Sequence, residues 1–128
     1  MTLKLGAHLP LADFGDQQPT AAALCAYAST ARRLGYSTLA ANDHLLWRRP
    51  WLDGPTALAT ALPAAGDMAV ATTVSLPVVR HPVVLAKALS TLAVLAQGPL
   101  IAGLGPGSAR ADYAAVGCAF DDPACARG

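Results

Sequence analysis

The chain has 128 residues, with 9 Lys and Arg against 8 Asp and Glu and a formal net charge of +1. That balance, with a pI near 7.8, leaves no basic footprint for nucleic acid or an anionic membrane surface. A hydrophobic fraction of 54% and a mean hydropathy of +0.41 are high for one small domain, and they predict apolar surface that expects a partner.

In chain order, Leu3 to Leu9 reads as a first strand, closed by Pro10. After a loop to Pro19, Thr20 is placed to cap a helix running to Leu34, with Leu24, Tyr27, Ala28, Ala31 and Leu34 as its buried face. Arg32 and Arg33 suit the negative end of that helix, and Gly35 ends it. Ser37 to Ala41 is a second strand, followed by Asn42-Asp43-His44 and a loop holding Trp47, Arg48, Arg49 and Trp51. A helix starts near Pro55 and is expected to stop or kink at Pro63, since proline removes a backbone donor. Met68 to Val74 is a third strand. Arg80-His81-Pro82 opens a helix whose Leu85, Leu89, Leu92 and Leu95 share one face, and Gly98-Pro99 stops it. Leu100 to Leu104 is a short apolar strand that runs into Gly105-Pro106-Gly107. A last helix is expected from Ser108, with Asp112 in its first turn, and the tail from Cys118 has no periodicity.

Ala88 to Ala109 is uncharged and long enough to span a bilayer, but Gln97-Gly98-Pro99 and the following glycines would strand backbone groups in lipid, so a membrane span is excluded. The N-terminal run is broken by Lys4 and His8, unlike a secretory signal. Three cysteines (Cys25, Cys118, Cys125) have no metal-ligand spacing and suit a reduced, cytoplasmic compartment. Cys25, on the inner helical face, reads as core.

Strands start near residues 3, 37, 68 and 100, so residues 1–128 form a single α/β domain of four β-loop-α units with parallel strands. A (β/α)8 TIM barrel needs roughly 250 residues. The chain is therefore read as an N-terminal half of such a barrel. Three arrangements satisfy its two open edges: a longer enzyme that continues the barrel, a homodimer that closes one, or an open sheet. The first is favoured.

Arg80-His81-Pro82, Leu100-Ile101-Ala102-Gly103-Leu104-Gly105-Pro106-Gly107, Gly35 through His44, Val116-Gly117 and Phe120-Asp121-Asp122 together resemble the luciferase-like monooxygenase family. The resemblance covers nearly the whole chain. It implies an oxidoreductase acting on a small organic substrate with reduced FMN or the deazaflavin coenzyme F420, a choice left open, although Asp43-His44 leans toward the deazaflavin. A short chain of this kind is expected to hold its cofactor weakly, because relatives commonly bind the phosphate in the later half of the barrel. A non-catalytic half-barrel acting in assembly is the alternative.

The carboxyl ends of the strands converge on one mouth, which is where such folds place their chemistry. Here those ends are His8, Asp43-His44, Thr73-Val74-Ser75 and Gly105 to Ser108. By the resemblance His44 is the catalytic residue near the reactive ring, a side chain suited to proton exchange at neutral pH; the plain alternative is a loop histidine bonded to backbone. Asp43, Thr73, Val74, Gly105, Gly107 and Ser108 are implied to border the cofactor, with a non-proline cis peptide and bulge at Thr73-Val74. His8 and Trp47 are placed against the substrate, with Trp51 beside them; the alternatives are a polar strand end and a cover for the mouth. His81 reads as a structural cap. Ser108 stands where deazaflavin enzymes often carry an acidic residue, and Pro106 removes a backbone donor. The glycines are neither a dinucleotide fingerprint nor a phosphate loop, and no metal site is expected.

Overall fold

A computed structural model describes residues 3–13, 15 and 19–121. Its elements alternate: β1 (Gly6–His8), α1 (Ala21–Arg33), β2 (Thr38–Ala41), α2 (Gly54–Ala65), β3 (Ala69–Ser75), α3 (Pro82–Leu95), β4 (Leu100–Leu104) and α4 (Arg110–Ala115). The strands form one sheet in the order β1-β2-β3-β4, parallel at every pairing. This is the four-unit α/β half barrel that the spacing predicts.

The helices cover one face of the sheet. Leu9, Leu39, Ala41 and Val70 from that face pack with Leu24 and Ala28 of α1, Leu58 and Ala61 of α2, and Leu85 and Leu89 of α3. Leu39 and Leu58 are fully buried. Each contributes roughly 1.5–3 kcal/mol by leaving water. Alanines at positions 28, 57, 61 and 65 let α1 and α2 lie close to the sheet and to each other. The opposite face carries small residues at Gly6, Ala40, Ala69, Ala71 and Gly103, together with His8, Thr38 and Ile101.

Local signals decide the helix ends. Thr20 Oγ1 accepts the Ala23 N–H at 3.1 Å, as a cap should. Asp53 does the same for α2, taking the Thr56 N–H at 2.9 Å. His81 occupies the cap position of α3 but makes no side-chain capping bond, so its structural reading holds by position only.

Several expectations are corrected. The first strand is only Gly6–His8, and Leu3 and Leu5 are exposed, because among the described residues nothing covers the outer edge of β1. Tyr27 and Leu34 of α1 and Leu95 of α3 are exposed for the same reason: their faces turn to the open sides of the sheet. Pro63 neither stops nor visibly breaks α2, which continues to Ala65. It sits in the last turn on the exposed side, and Ala59, whose carbonyl loses its partner, is also exposed and open to water. α4 begins at Arg110, two residues later than Ser108. Cys25 is half-buried, with its thiol bonded to the Thr60 carbonyl at 3.3 Å; Cys125 lies outside the described residues. No helix among the described residues is long and apolar enough to cross a membrane.

Candidate active site

The parallel sheet brings His8, Asn42-Asp43-His44, Thr73-Val74 and Leu104-Gly105 to one rim. What sets this rim in order is a pair of neighbours on the six-residue α4. Asp112 is 1% exposed. Its Oδ1 accepts the backbone N–H groups of Leu45 (3.0 Å) and Leu46 (2.7 Å), and its Oδ2 lies 3.0 Å from His44 Nδ1. Tyr113 donates its hydroxyl to the Pro106 carbonyl at 2.5 Å. One helix thus ties the histidine loop and the glycine loop together. Asp112 stands in the first turn of α4, as expected, and it is also a buried anchor.

His44 is further held by aromatic contact. Trp47 stacks on its ring (centroids 4.4 Å apart, planes at 30°), and Trp51 meets it edge-on at 5.5 Å. The bland reading of His44 as a loop histidine bonded to backbone does not describe it. The side chain of His44 is 17% exposed. Among the described residues its Nε2 has no protein partner. Trp51 also bridges to Ala12, which lays the loop across the end of β1.

The Thr73-Val74 peptide is cis, and the β3–β4 register shifts between Thr72 and Ser75. The geometry implied for these two residues is therefore present. Thr73 and Val74 are exposed on the rim. Gly103 and Gly105 face Val74: a Cβ on Gly103 would overlap the Thr72 carbonyl, and one on Gly105 would come 2.8 Å from Val74 Cγ2. Gly107 has φ +78°, a turn that glycine adopts freely, and Ser108 is exposed beyond it. Three buried polar atoms at this end of the sheet have no hydrogen-bond partner: Asn42 Oδ1, Trp51 Nε1 and Ser75 Oγ. His8 ends β1 on the rim, its Nδ1 donating to the Leu9 carbonyl at 3.0 Å.

Asp43 has a structural partner that the sequence does not reveal. It is 3% exposed, and both carboxylate oxygens accept from Arg80, at 2.6 Å from Nε and 2.6 Å from Nη2. Both oxygens are thus engaged by one guanidinium in a bidentate pair. Arg80 also bonds Asp53, joining the β2 end, the start of α2 and the β3–α3 loop. Sequence reasoning quoted Arg80 only as a family marker and missed this. Burial of Arg80 opposes its charge, but the Asp43 and Asp53 carboxylates outweigh it and hold the guanidinium above its ordinary value.

Burial likewise opposes ionisation of Asp53, and is outweighed by the Thr56 hydroxyl, the Thr56 N–H and Arg80, so its carboxyl titrates below the usual 3.8. A lowered folded value means stability that is present above pH 4 and lost as pH falls through the folded value. Asp53→Asn keeps a capping oxygen and removes the charge. It should cost under about 1 kcal/mol at pH 7, since the group is partly solvated. That deficit should shrink as the pH falls below 3.8 and through the lowered folded value. Urea unfolding of both proteins at pH 7 and below 3.8 tests this; an equal deficit at both would sink it.

The comparisons with known proteins agree with this geometry. The model of the luciferase-like monooxygenase family matches residues 6–125. An F420-dependent glucose-6-phosphate dehydrogenase from Amycolatopsis mediterranei is 32% identical over 121 residues, covering 90% of this chain and 34% of that protein. Its counterpart from Kribbella flavida is 31% identical over 123 residues, covering 91% and 35%. Among solved structures, the monooxygenase RslO1 from Streptomyces bottropensis superposes with a TM-score of 0.78 at 26% identity, over 93% of this chain and 38% of that one. The oxygenating constituent of 3,6-diketocamphane monooxygenase from Pseudomonas putida, solved with FMN, gives 0.75 at 20% identity over 91% and 33%, a likeness of fold. The chain spans about a third of the length of the relatives it matches. With a family match running almost end to end, this chain belongs to the luciferase-like monooxygenase family.

Proposed function

We propose that these four β/α units carry the cofactor face of an oxidoreductase that acts on a small organic substrate, with the deazaflavin coenzyme F420 favoured over FMN. The observation that carries this is the paired geometry of the rim: a surface without Cβ atoms at Gly103 and Gly105, and an imidazole held by a buried carboxylate. Both F420-dependent relatives align over nine-tenths of the chain, which supports the deazaflavin.

The residues fit a flat ring. Without a Cβ, Gly103 and Gly105 lie closely against β3, and Val74 offers an apolar support beside them. The unpartnered Asn42, Trp51 and Ser75 atoms lie at the same end, where a ligand or water can satisfy them. When bound, the cofactor supplies hydride transfer or oxygen activation. The chain does the rest: Gly105 and Gly107 let the backbone approach closely, Trp47 and Trp51 exclude water from His44, and His44 exchanges a proton at Nε2. Ser108, in place of an acidic residue, adds no second proton donor of that type. Asp43 acts through Arg80 by holding the segment that presents His44. His8 and Trp47 remain the substrate-side candidates. A cytoplasmic setting suits a chain whose Cys25 is a thiol bonded to backbone.

A second reading, assembly without catalysis, draws on the bare edges. Ile101 and Leu104 on β4, with Val83, Val84 and Val94 on α3, are more than half exposed, as are Leu3 and Leu5 beside β1. Further β/α units, from a longer polypeptide or a second copy, would cover them.

The test is a titration of the 128-residue chain with the deazaflavin and with FMN, followed by amide chemical shifts, on material whose mass is known from light scattering. The expected result is weak saturable binding, with a dissociation constant on the order of 1 mM (about −4 kcal/mol), and shifts confined to His44, Thr73-Val74 and Gly103 to Gly107. Absence of those shifts with either cofactor at several millimolar would leave the assembly reading in place.

A further inference from the structure

We propose that Asp112 is a positioning residue that fixes His44 as the Nδ1–H tautomer and so makes Nε2 a proton acceptor. The functional half of this statement rests on the reading of His44 as the proton-exchanging group; the tautomer itself does not.

The donors and acceptors around Asp112 allow one arrangement. An ionised carboxylate only accepts. Oδ1 of Asp112 is committed to two backbone N–H groups, Leu45 and Leu46, whose roles cannot be exchanged. The carboxylate is thereby locked in rotation, and Oδ2 must face His44 Nδ1 at 3.0 Å. Two acceptors cannot share that distance, so the proton sits on Nδ1. In a neutral imidazole the other nitrogen is then bare. The ring cannot escape by turning over, since that would set a C–H against the carboxylate, and Trp47 and Trp51 pack against it on two sides. Nε2, without a protein partner among the described residues, is the nitrogen open to a ligand.

The same arrangement predicts a variant. In Asp112→Asn the amide oxygen is still claimed by the Leu45 and Leu46 N–H groups, so the amide NH2 must point at His44. Nδ1 then has to accept, and the proton moves to Nε2. One atom replaced, with the fold's anchor kept, should reverse the tautomer.

The experiment is a long-range 15N–1H correlation spectrum of the 128-residue chain, taken at alkaline pH where its three imidazoles are neutral, with His44 assigned by its loss in His44→Gln. The wild type should favour Nδ1–H by at least about tenfold, the preference one charge-assisted bond supports. Asp112→Asn should favour Nε2–H. The proposal is overturned by a wild-type His44 that is mixed or mainly Nε2–H, or by an Asp112→Asn protein that keeps Nδ1–H while its other amide signals are unchanged. If that variant does not fold, the wild-type spectrum alone decides. No cofactor is used, so this result and the cofactor titration stand or fall separately.

Discussion

Arg80→Met should destabilise the chain by about 3–5 kcal/mol, enough to unfold much of it at room temperature. The guanidinium is the partner of both oxygens of Asp43, a carboxylate almost wholly out of water. Removing it leaves a buried charge with no compensation, and the cost of that is larger than the net worth of the pair. Asp53 loses a partner too, but it is partly solvated and keeps its bonds from Thr56. The loss is therefore dominated by Asp43. A double change, Arg80→Met with Asp43→Leu, removes both charges and should recover most of the stability, because buried pairs are often replaceable by apolar groups of similar volume. Urea unfolding of the three proteins measures this. A single variant within 1 kcal/mol of wild type would show that Asp43 finds water or another donor, and that the network is ornamental to the fold.

The contrast between Arg80 and its neighbours explains what could be read from the chain beforehand. Pro82 at a helix start, Thr20 at a cap and Gly98-Pro99 at a stop act within three or four residues of themselves, so their meaning is local and visible. The strand spacing and the parallel sheet follow from the same local marks, and so does the rim, since parallel strands put all their carboxyl ends together. Asp112 and Arg80 are different. Asp112 meets a histidine 68 residues away, and Arg80 meets carboxylates 37 and 27 residues away. Such pairs leave no period and no motif; each residue looks like one more surface charge. Asp43 is the same case: its place beside His44 is legible, its partner Arg80 is not. Exposed Leu34 and Leu95 mislead in the other direction, since their helical spacing is correct for a core that the described residues do not complete.

Two glycines two residues apart, one in β4 and one just past its end, separate the fold from the site. Gly103→Ala should cost about 3 kcal/mol or more, above the usual range for one added methyl. The new Cβ would overlap the Thr72 carbonyl, and that backbone cannot move without breaking the β3–β4 ladder and the 2.8 Å bond from Thr72 Oγ1 to the Gly103 carbonyl. Gly105→Ala meets only the tip of Val74, 2.8 Å away, which a rotamer change relieves, so it should cost less than about 1 kcal/mol. Its methyl, however, occupies the space proposed for the ring. Cofactor binding by Gly105→Ala should fall at least about tenfold, or about 1.4 kcal/mol, with the unfolding midpoint nearly unchanged. Gly103→Ala should lose stability first, and binding only as a consequence. Thermal unfolding and the amide-shift titration, run side by side on both variants, give four numbers from two substitutions. If Gly105→Ala binds the deazaflavin as wild type does, the ring does not lie on Gly105. The cradle would then have to be sought elsewhere on the rim, on the side of His8 and Trp47.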